Sequence, residues 1–136
     1  MEDKKSAILI VDDEVILLMS VRQQLKLRFG ASFIYETAIS AEKGLEKIDE
    51  LTSQGVSLVL VISDWLMPGM KGDVFLKVVH DQHPAVKLLM ISGHADKEDM
   101  ERLNRETQLF GFLRKPYNSA ALFTMVESAL KEADAS

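Results

Sequence analysis

Four places in this chain combine residue types and settings that could carry chemistry: Asp12-Asp13, Asp64, Ser92-Gly93 and Lys115. Each stands at the end of a short apolar run. The plainest case is LVLVISDWLMPG at 58–69, where apolar residues lead straight to Asp64 before Met67-Pro68-Gly69 breaks the chain. Two carboxylates about 4 Å apart repel by about 4 kcal/mol at an effective dielectric near 20. Three of them beside one lysine leave roughly two negative charges, relieved by protonating one acid or by capturing a divalent cation. With no His or Cys at these strand ends, all-oxygen ligation favours Mg²⁺, with Mn²⁺ as a substitute, over zinc or copper. Asp64 can then give one oxygen to the metal and use the other as a nucleophile, the way carboxylates form acyl phosphates. A transferred phosphoryl group calls for a cation, a lysine, a hydroxyl and backbone N–H groups, which the metal, Lys115, Ser92 and Gly93 supply. Each residue also has a plainer reading. Asp12 and Asp13 could cap the helix that follows, Asp64 could sit in a turn, Ser92-Gly93 could be a loop, and Lys115 could be a solvated lysine. Their joint placement at four strand ends favours a site.

The elements that must position these groups alternate strictly. Residues 7–11 read as a strand, and 14–29 as a helix with apolar residues at 17, 18, 21 and 25. Residues 33–37 form a second strand, contributing only Thr37 at its end, as expected of an edge strand. Ser40 can cap a helix to Leu51, with Leu45 and Ile48 inward. Residues 58–63, 86–91 and 109–113 read as further strands. Residues 73–80 and 96–107 read as helices, the latter offering only Met100 and Leu103 to a core, and Asn118 caps a last helix with apolar positions 122, 123, 126 and 130. Five strands alternating with five helices imply a parallel sheet covered on both faces. The near-continuous apolar runs of strands one, three and four agree with burial on both sides. In such a sheet the site lies beyond the carboxyl ends of the strands, where the four groups fall.

Composition bounds the rest. At 136 residues, with 47% hydrophobic and 27% charged, the chain has the balance of one globular domain. A formal charge of -5 argues against direct nucleic-acid binding, which needs clustered Lys and Arg. The absence of cysteine excludes disulfides and thiolate chemistry and fits a reducing cytoplasm. The apolar run near the N-terminus is too short for a signal peptide or a membrane span, so a cytoplasmic location is expected.

The segments VDDE, SDWLMPGMKGD, ISGHAD and FLRKP, in this order and spacing, resemble the receiver domain of bacterial two-component response regulators. The resemblance covers residues 5–133. It implies a flavodoxin-like, doubly wound (βα)5 fold with strand order 2-1-3-4-5. It implies that Asp64 accepts a phosphoryl group from a histidine kinase or histidine phosphotransfer protein. Asp13, Asp64 and the backbone carbonyl of Leu66 would bind Mg²⁺, with Asp12 acting mainly through water. Ser92, Lys115, Trp65 and Gly93 would hold the phosphoryl oxygens, and the Lys115–Pro116 peptide would be cis. Ser92 and Phe112 would form the switch, altering the face made by helix four, strand five and helix five. That face is also the expected surface for a homodimer. Such a domain catalyses its own phosphorylation and slow dephosphorylation without turning over an external substrate.

Three features depart from the commonest pattern of that family. Leu66 is apolar where polar residues are frequent, so it cannot steer a hydrolytic water, whereas His94 could steer one or shield the phosphoryl group. Phe112 lacks the hydroxyl of the more usual tyrosine. Ile16 and Met19 exceed what one apolar stripe of the first helix needs and are expected to contact the phosphodonor. The chain reads either as a stand-alone receiver or as a piece of a larger protein, with any output domain outside it. An aspartyl-phosphate hydrolase of the dehalogenase type would want a second acid where Leu66 stands. A receiver-shaped module that binds a partner without phosphate is the remaining alternative. The chain lacks GxxxxGK[ST], and lacks GxGxxG after strand one, so classical nucleotide binding is not expected.

Overall fold

The computed structural model describes residues 5–93 and 96–135. Five parallel strands, β1 (Ser6–Val11), β2 (Phe33–Ala38), β3 (Ser57–Asp64), β4 (Lys87–Ser92) and β5 (Gly111–Arg114), alternate with helices α1 (Val15–Phe29), α2 (Ala41–Ser53), α3 (Gly72–Gln82), α4 (Lys97–Thr107) and α5 (Ser119–Ala135). The strands lie in the order β2-β1-β3-β4-β5, as the doubly wound, flavodoxin-like expectation required. Among the described residues, no helix is long and apolar enough to cross a membrane.

Successive side chains of a strand point to opposite faces, so the apolar runs feed two separate layers. Ile8, Ile10, Leu60, Ile62, Leu89, Ile91 and Leu113 pack with Leu18, Val21 and Leu25 of α1 and with Leu122, Val126 and Ala129 of α5. Leu9, Val11, Val61, Leu88 and Met90 pack on the other face with Ile48 of α2, Phe75, Leu76 and Val79 of α3, and Leu103 of α4. Full burial of a side chain of this size contributes roughly 1.5–3 kcal/mol, so the two layers dominate the folding free energy.

Helix boundaries follow local chemistry. Ser40 Oγ accepts the Lys43 N–H at 3.1 Å and caps α2 as expected. Asp96 accepts the Asp99 N–H at 2.8 Å and caps α4. Two boundaries differ from the sequence reading. Helix α3 runs two residues beyond His80, to Gln82. Strand β5 begins at Gly111 rather than at 109, because Gln108 closes α4 in a left-handed conformation (φ 54°) and the chain must regain extension first. Helix α4 buries Thr107 as well as Leu103, because the Thr107 hydroxyl donates to the Leu103 carbonyl at 2.7 Å and leaves no orphaned polar atom.

Candidate phosphoacceptor site

Strand register brings the four groups to one end of the sheet. Val11 lies opposite Ser63, Asp64 opposite Ile91, and Ser92 opposite Arg114, so Asp12 is level with Asp64, Ser92 one residue beyond it and Lys115 two. The two-residue period then sorts them. Asp64 continues the series Leu60, Ile62, and Asp12 the series Ile8, Ile10, while Lys115 follows Leu113; all three series belong to the α1/α5 layer. Ser92 follows Leu88 and Met90, which belong to the α2/α3/α4 layer. Phe112 lies opposite Met90 in register and packs, partly buried, against that same layer. The ionic groups and the expected switch pair thus occupy opposite faces of the sheet.

Asp12, Asp13 and Asp64 each bring a carboxylate oxygen to within 4.8 Å of the others. Asp12 and Asp64 are 6% and 7% exposed, whereas Asp13 is open to solvent. The Lys115 ammonium lies 3.4 Å from Asp12 Oδ2 and 3.6 Å from Asp64 Oδ1, a charge contact rather than a short hydrogen bond. Asp12 Oδ1 accepts the Glu14 N–H at 2.9 Å, a bond to the residue just ahead of α1 rather than to the free N–H groups of its first turn, so Asp12 does not cap that helix. Asp64 Oδ1 accepts the Trp65 N–H at 2.8 Å. Burial raises the Asp64 carboxyl above its usual range and the Asp12 charge adds to the effect, against the opposing pull of Lys115 and the Trp65 N–H. Burial likewise raises Asp12, opposed by the Glu14 N–H and by Lys115. One lysine therefore does not neutralise the cluster. Close-set carboxylate oxygens with no nitrogen or sulfur ligand suit a hard divalent cation, and the site fits one on those grounds.

The loop after Asp64 is held at both ends. Trp65 and Met67 are buried in the α2/α3/α4 layer, and the Gly72 N–H donates to the Trp65 carbonyl at 2.8 Å. Gly72 runs so close to β3 that a Cβ there would overlap the Asp64 carbonyl oxygen, which accounts for glycine at this position. The Leu66 side chain between them is exposed. On the far side, the Ser92 side chain is fully buried, its carbonyl accepts the Lys115 N–H at 3.1 Å, and Gly93 lies against the Lys115 backbone. The Lys115–Pro116 peptide is cis, as expected. His94 lies outside the described residues.

A cleft of about 720 Å³ opens over Asp13, Asp64, Gly93 and Lys115 and extends toward α1 and α5. Ile16 is 88% exposed and Met19 45% exposed on α1, with Val15 also open. Tyr117 lines the cleft and was not singled out from the sequence; burial raises its phenol, and the Asp12 charge does so further. Its place two residues beyond Lys115 was the available signal.

Residues 8–127 match the sequence profile of the response regulator receiver domain. The chain is 31% identical over 129 residues to the sensor kinase CckA of Brucella abortus, covering 95% of this chain and 13% of that protein. It is 31% identical over 131 residues to the hydrogenase transcriptional regulatory protein HoxA of Cupriavidus necator, covering 96% of this chain and 25% of that protein. It thus corresponds to a minor part of each of these relatives. Among solved structures it is similar to a CheY-like response regulator receiver domain protein from Methanospirillum hungatei JF-1, with a TM-score of 0.81 and 28% identity over 95% of this chain and 96% of that one. Fold, acidic cluster and sequence agree that the chain belongs to the response regulator receiver domains, the regulatory phosphorylation switches of two-component signalling.

Proposed function

We propose that Asp64 is the phosphoacceptor and takes its phosphoryl group from a histidine kinase or histidine phosphotransfer protein. One observation carries the reading: three carboxylates lie within 4.8 Å of one another, two of them against Lys115, at the end of the sheet where hydroxyl, glycine amide and cleft also meet. Asp64 attacks phosphorus, the P–N bond of the donor phosphohistidine breaks, and its electron pair returns to the imidazole, which then takes up a proton. Asp13, Asp64 and the Leu66 carbonyl would hold Mg²⁺, with Asp12 acting mainly through water. The cation, when bound, offsets the charge that develops on the phosphoryl oxygens. Lys115, Ser92 and the Trp65 and Gly93 amides hold those oxygens. Lys115 trades its contact with Asp12 for one with the phosphoryl group, so the charge it neutralises changes without a new cation entering. Ser92 and Phe112 transmit the change to the face of α4, β5 and α5, which serves an output domain outside this chain or a second copy. Ile16 and Met19 contact the donor.

Intact mass after incubation with a small phosphodonor tests this, with Mg²⁺ and with EDTA, on the wild type and on Asp64→Asn. A single phosphate adduct that needs Mg²⁺ and is absent from the variant is expected. A folded wild type that takes up no phosphate would turn the reading toward a phosphate-independent interaction module.

A further inference from the structure

The loop from Trp65 to Lys71 is secured at its ends by buried Trp65 and Met67 and by the bond from the Gly72 N–H to the Trp65 carbonyl. Its middle, Pro68-Gly69-Met70, is held from outside. Gly69 turns the chain with φ at 82°, and the Met70 N–H donates to Glu42 Oε2 of α2 at 3.2 Å. A Cβ placed on Gly69 would stand 2.9 Å from that same oxygen and 3.6 Å from Glu42 Cδ, so the carboxylate lies directly over the turn. In the first turn of α2, Glu42 complements the helix dipole but is not needed as its cap. The N-cap is already Ser40, whose hydroxyl accepts the Lys43 N–H, and Glu42 makes no ion pair among the described residues.

We infer that Glu42 is a positioning residue for the phosphoacceptor loop: it accepts the Met70 N–H, covers the Gly69 turn, and so keeps Leu66 at the cleft that Asp13 and Asp64 line. This rests on the proposed role of the Leu66 carbonyl as a metal ligand. A backbone carbonyl cannot be re-aimed by a rotamer change. The only way to place it is to fix the loop that carries it, and a contact three or four residues away on a neighbouring helix does this without occupying the site. Helix α2 contributes nothing to the cleft directly, so this bond gives it an effect on the metal that its distance in sequence conceals.

The test compares Glu42→Ala and Glu42→Gln with the wild type. Gln keeps a carbonyl acceptor and removes the charge; Ala removes both. Trp65, the one tryptophan in the chain and the donor of an N–H to Asp64, reports Mg²⁺ binding by fluorescence. Amide exchange at Met70 in EDTA reports the hydrogen bond without the metal. Glu42→Ala is expected to weaken Mg²⁺ binding about three- to tenfold and to speed Met70 exchange, with little change in Tm, because one exposed hydrogen bond is lost. Glu42→Gln is expected to stay near the wild type in both readouts. Unchanged Mg²⁺ affinity or unchanged Met70 exchange in Glu42→Ala would overturn the inference. Equal loss in Gln and Ala would also overturn it, by showing that charge alone matters. A wild type that does not respond to Mg²⁺ would remove the metal site and this role together, and is recognisable because all three proteins would share it.

Discussion

Helices α1 and α4 both start from the carboxyl end of the sheet, and they are built on opposite terms. Helix α1 buries Leu18, Val21 and Leu25 and still has apolar residues to spare, leaving Val15, Ile16 and Met19 open to solvent. Helix α4 buries only Leu103 and Thr107. Beyond these and the partly buried Met100, which packs against the same layer as the sequence led one to expect, α4 is held by polar contacts: Arg102 donates to Asp73 of α3 at 2.9 Å, while Asp99 and Glu106 crowd the same guanidinium at 3.7 and 3.5 Å. Asp73 keeps its other oxygen, Oδ1, buried without a hydrogen-bond partner among the described residues. An element with few buried contacts opens at low cost, and one anchored in a full layer does not. The contrast gives α1 a well-anchored surface and α4 a sparsely anchored one, on either side of Asp64.

The largest effect expected from that difference is on stability. Leu103→Ala should cost about 2–4 kcal/mol, the usual range for emptying a filled core position. Ile16→Ala should stay within about 0.5 kcal/mol, as surface changes do. Denaturant unfolding measures both, and similar losses at the two positions would end the contrast. Ile16→Glu sharpens it from the functional side. Transfer from a phosphorylated protein donor should slow about tenfold, the equivalent of 1.4 kcal/mol at a contact surface, while phosphorylation by a small donor stays unchanged. A loss with both donors would place Ile16 in the chemistry instead.

Smaller effects follow for the polar side. Arg102→Ala should cost about 0.5–1 kcal/mol, as for a partly exposed ion pair, and should speed amide exchange in α4 more than in α1. Exchange that quickens equally in both helices would mean that α4 is no looser than its counterpart. The last test concerns the acids between them. Asp64 is raised in the fold, so its folded form holds a proton more tightly than its unfolded form. The cost of its charge is therefore absent below the ordinary aspartate value of 3.8, grows as pH rises toward the raised value, and is complete above it. In EDTA, the Tm advantage of Asp64→Asn over the wild type should accordingly increase from pH 3.5 to pH 7, on the order of a few degrees for a domain of this size. A difference that shrinks with rising pH would show that Lys115 outweighs burial.

The parts of this structure that the sequence made legible are those set by local pattern. The apolar runs before Asp12, Asp64 and Ser92 announced buried parallel strands, and the residue that followed each announced the site. The surplus of Ile16 and Met19 could be counted on a helical projection, and both are exposed. What stayed hidden depends on elements meeting in space. Nothing in the spacing of Glu42 and Met70, or of Asp73 and Arg102, indicates that they touch. Thr107 looked like a polar residue ending a helix, and only its bond to the Leu103 carbonyl makes it a core residue. The late start of β5 came from a left-handed Gln108, a residue type with no strong preference for that conformation.

The two-layer sorting of the strands has a consequence for how this fold tolerates change in length. Asp64 reaches the ionic side of the sheet only because it lies an even number of positions along the strand from Leu60 and Ile62. Deleting or inserting one residue within β3 would send Asp64 to the other layer and, in the same stroke, exchange the inward faces of Leu60, Val61 and Ile62 between two cores shaped for different neighbours. Chemistry and folding would fail together. A point change at Asp64 leaves the register of both layers intact, so the proposed acceptor can be silenced by substitution without exchanging the two cores, while a change of length has room only in the loops.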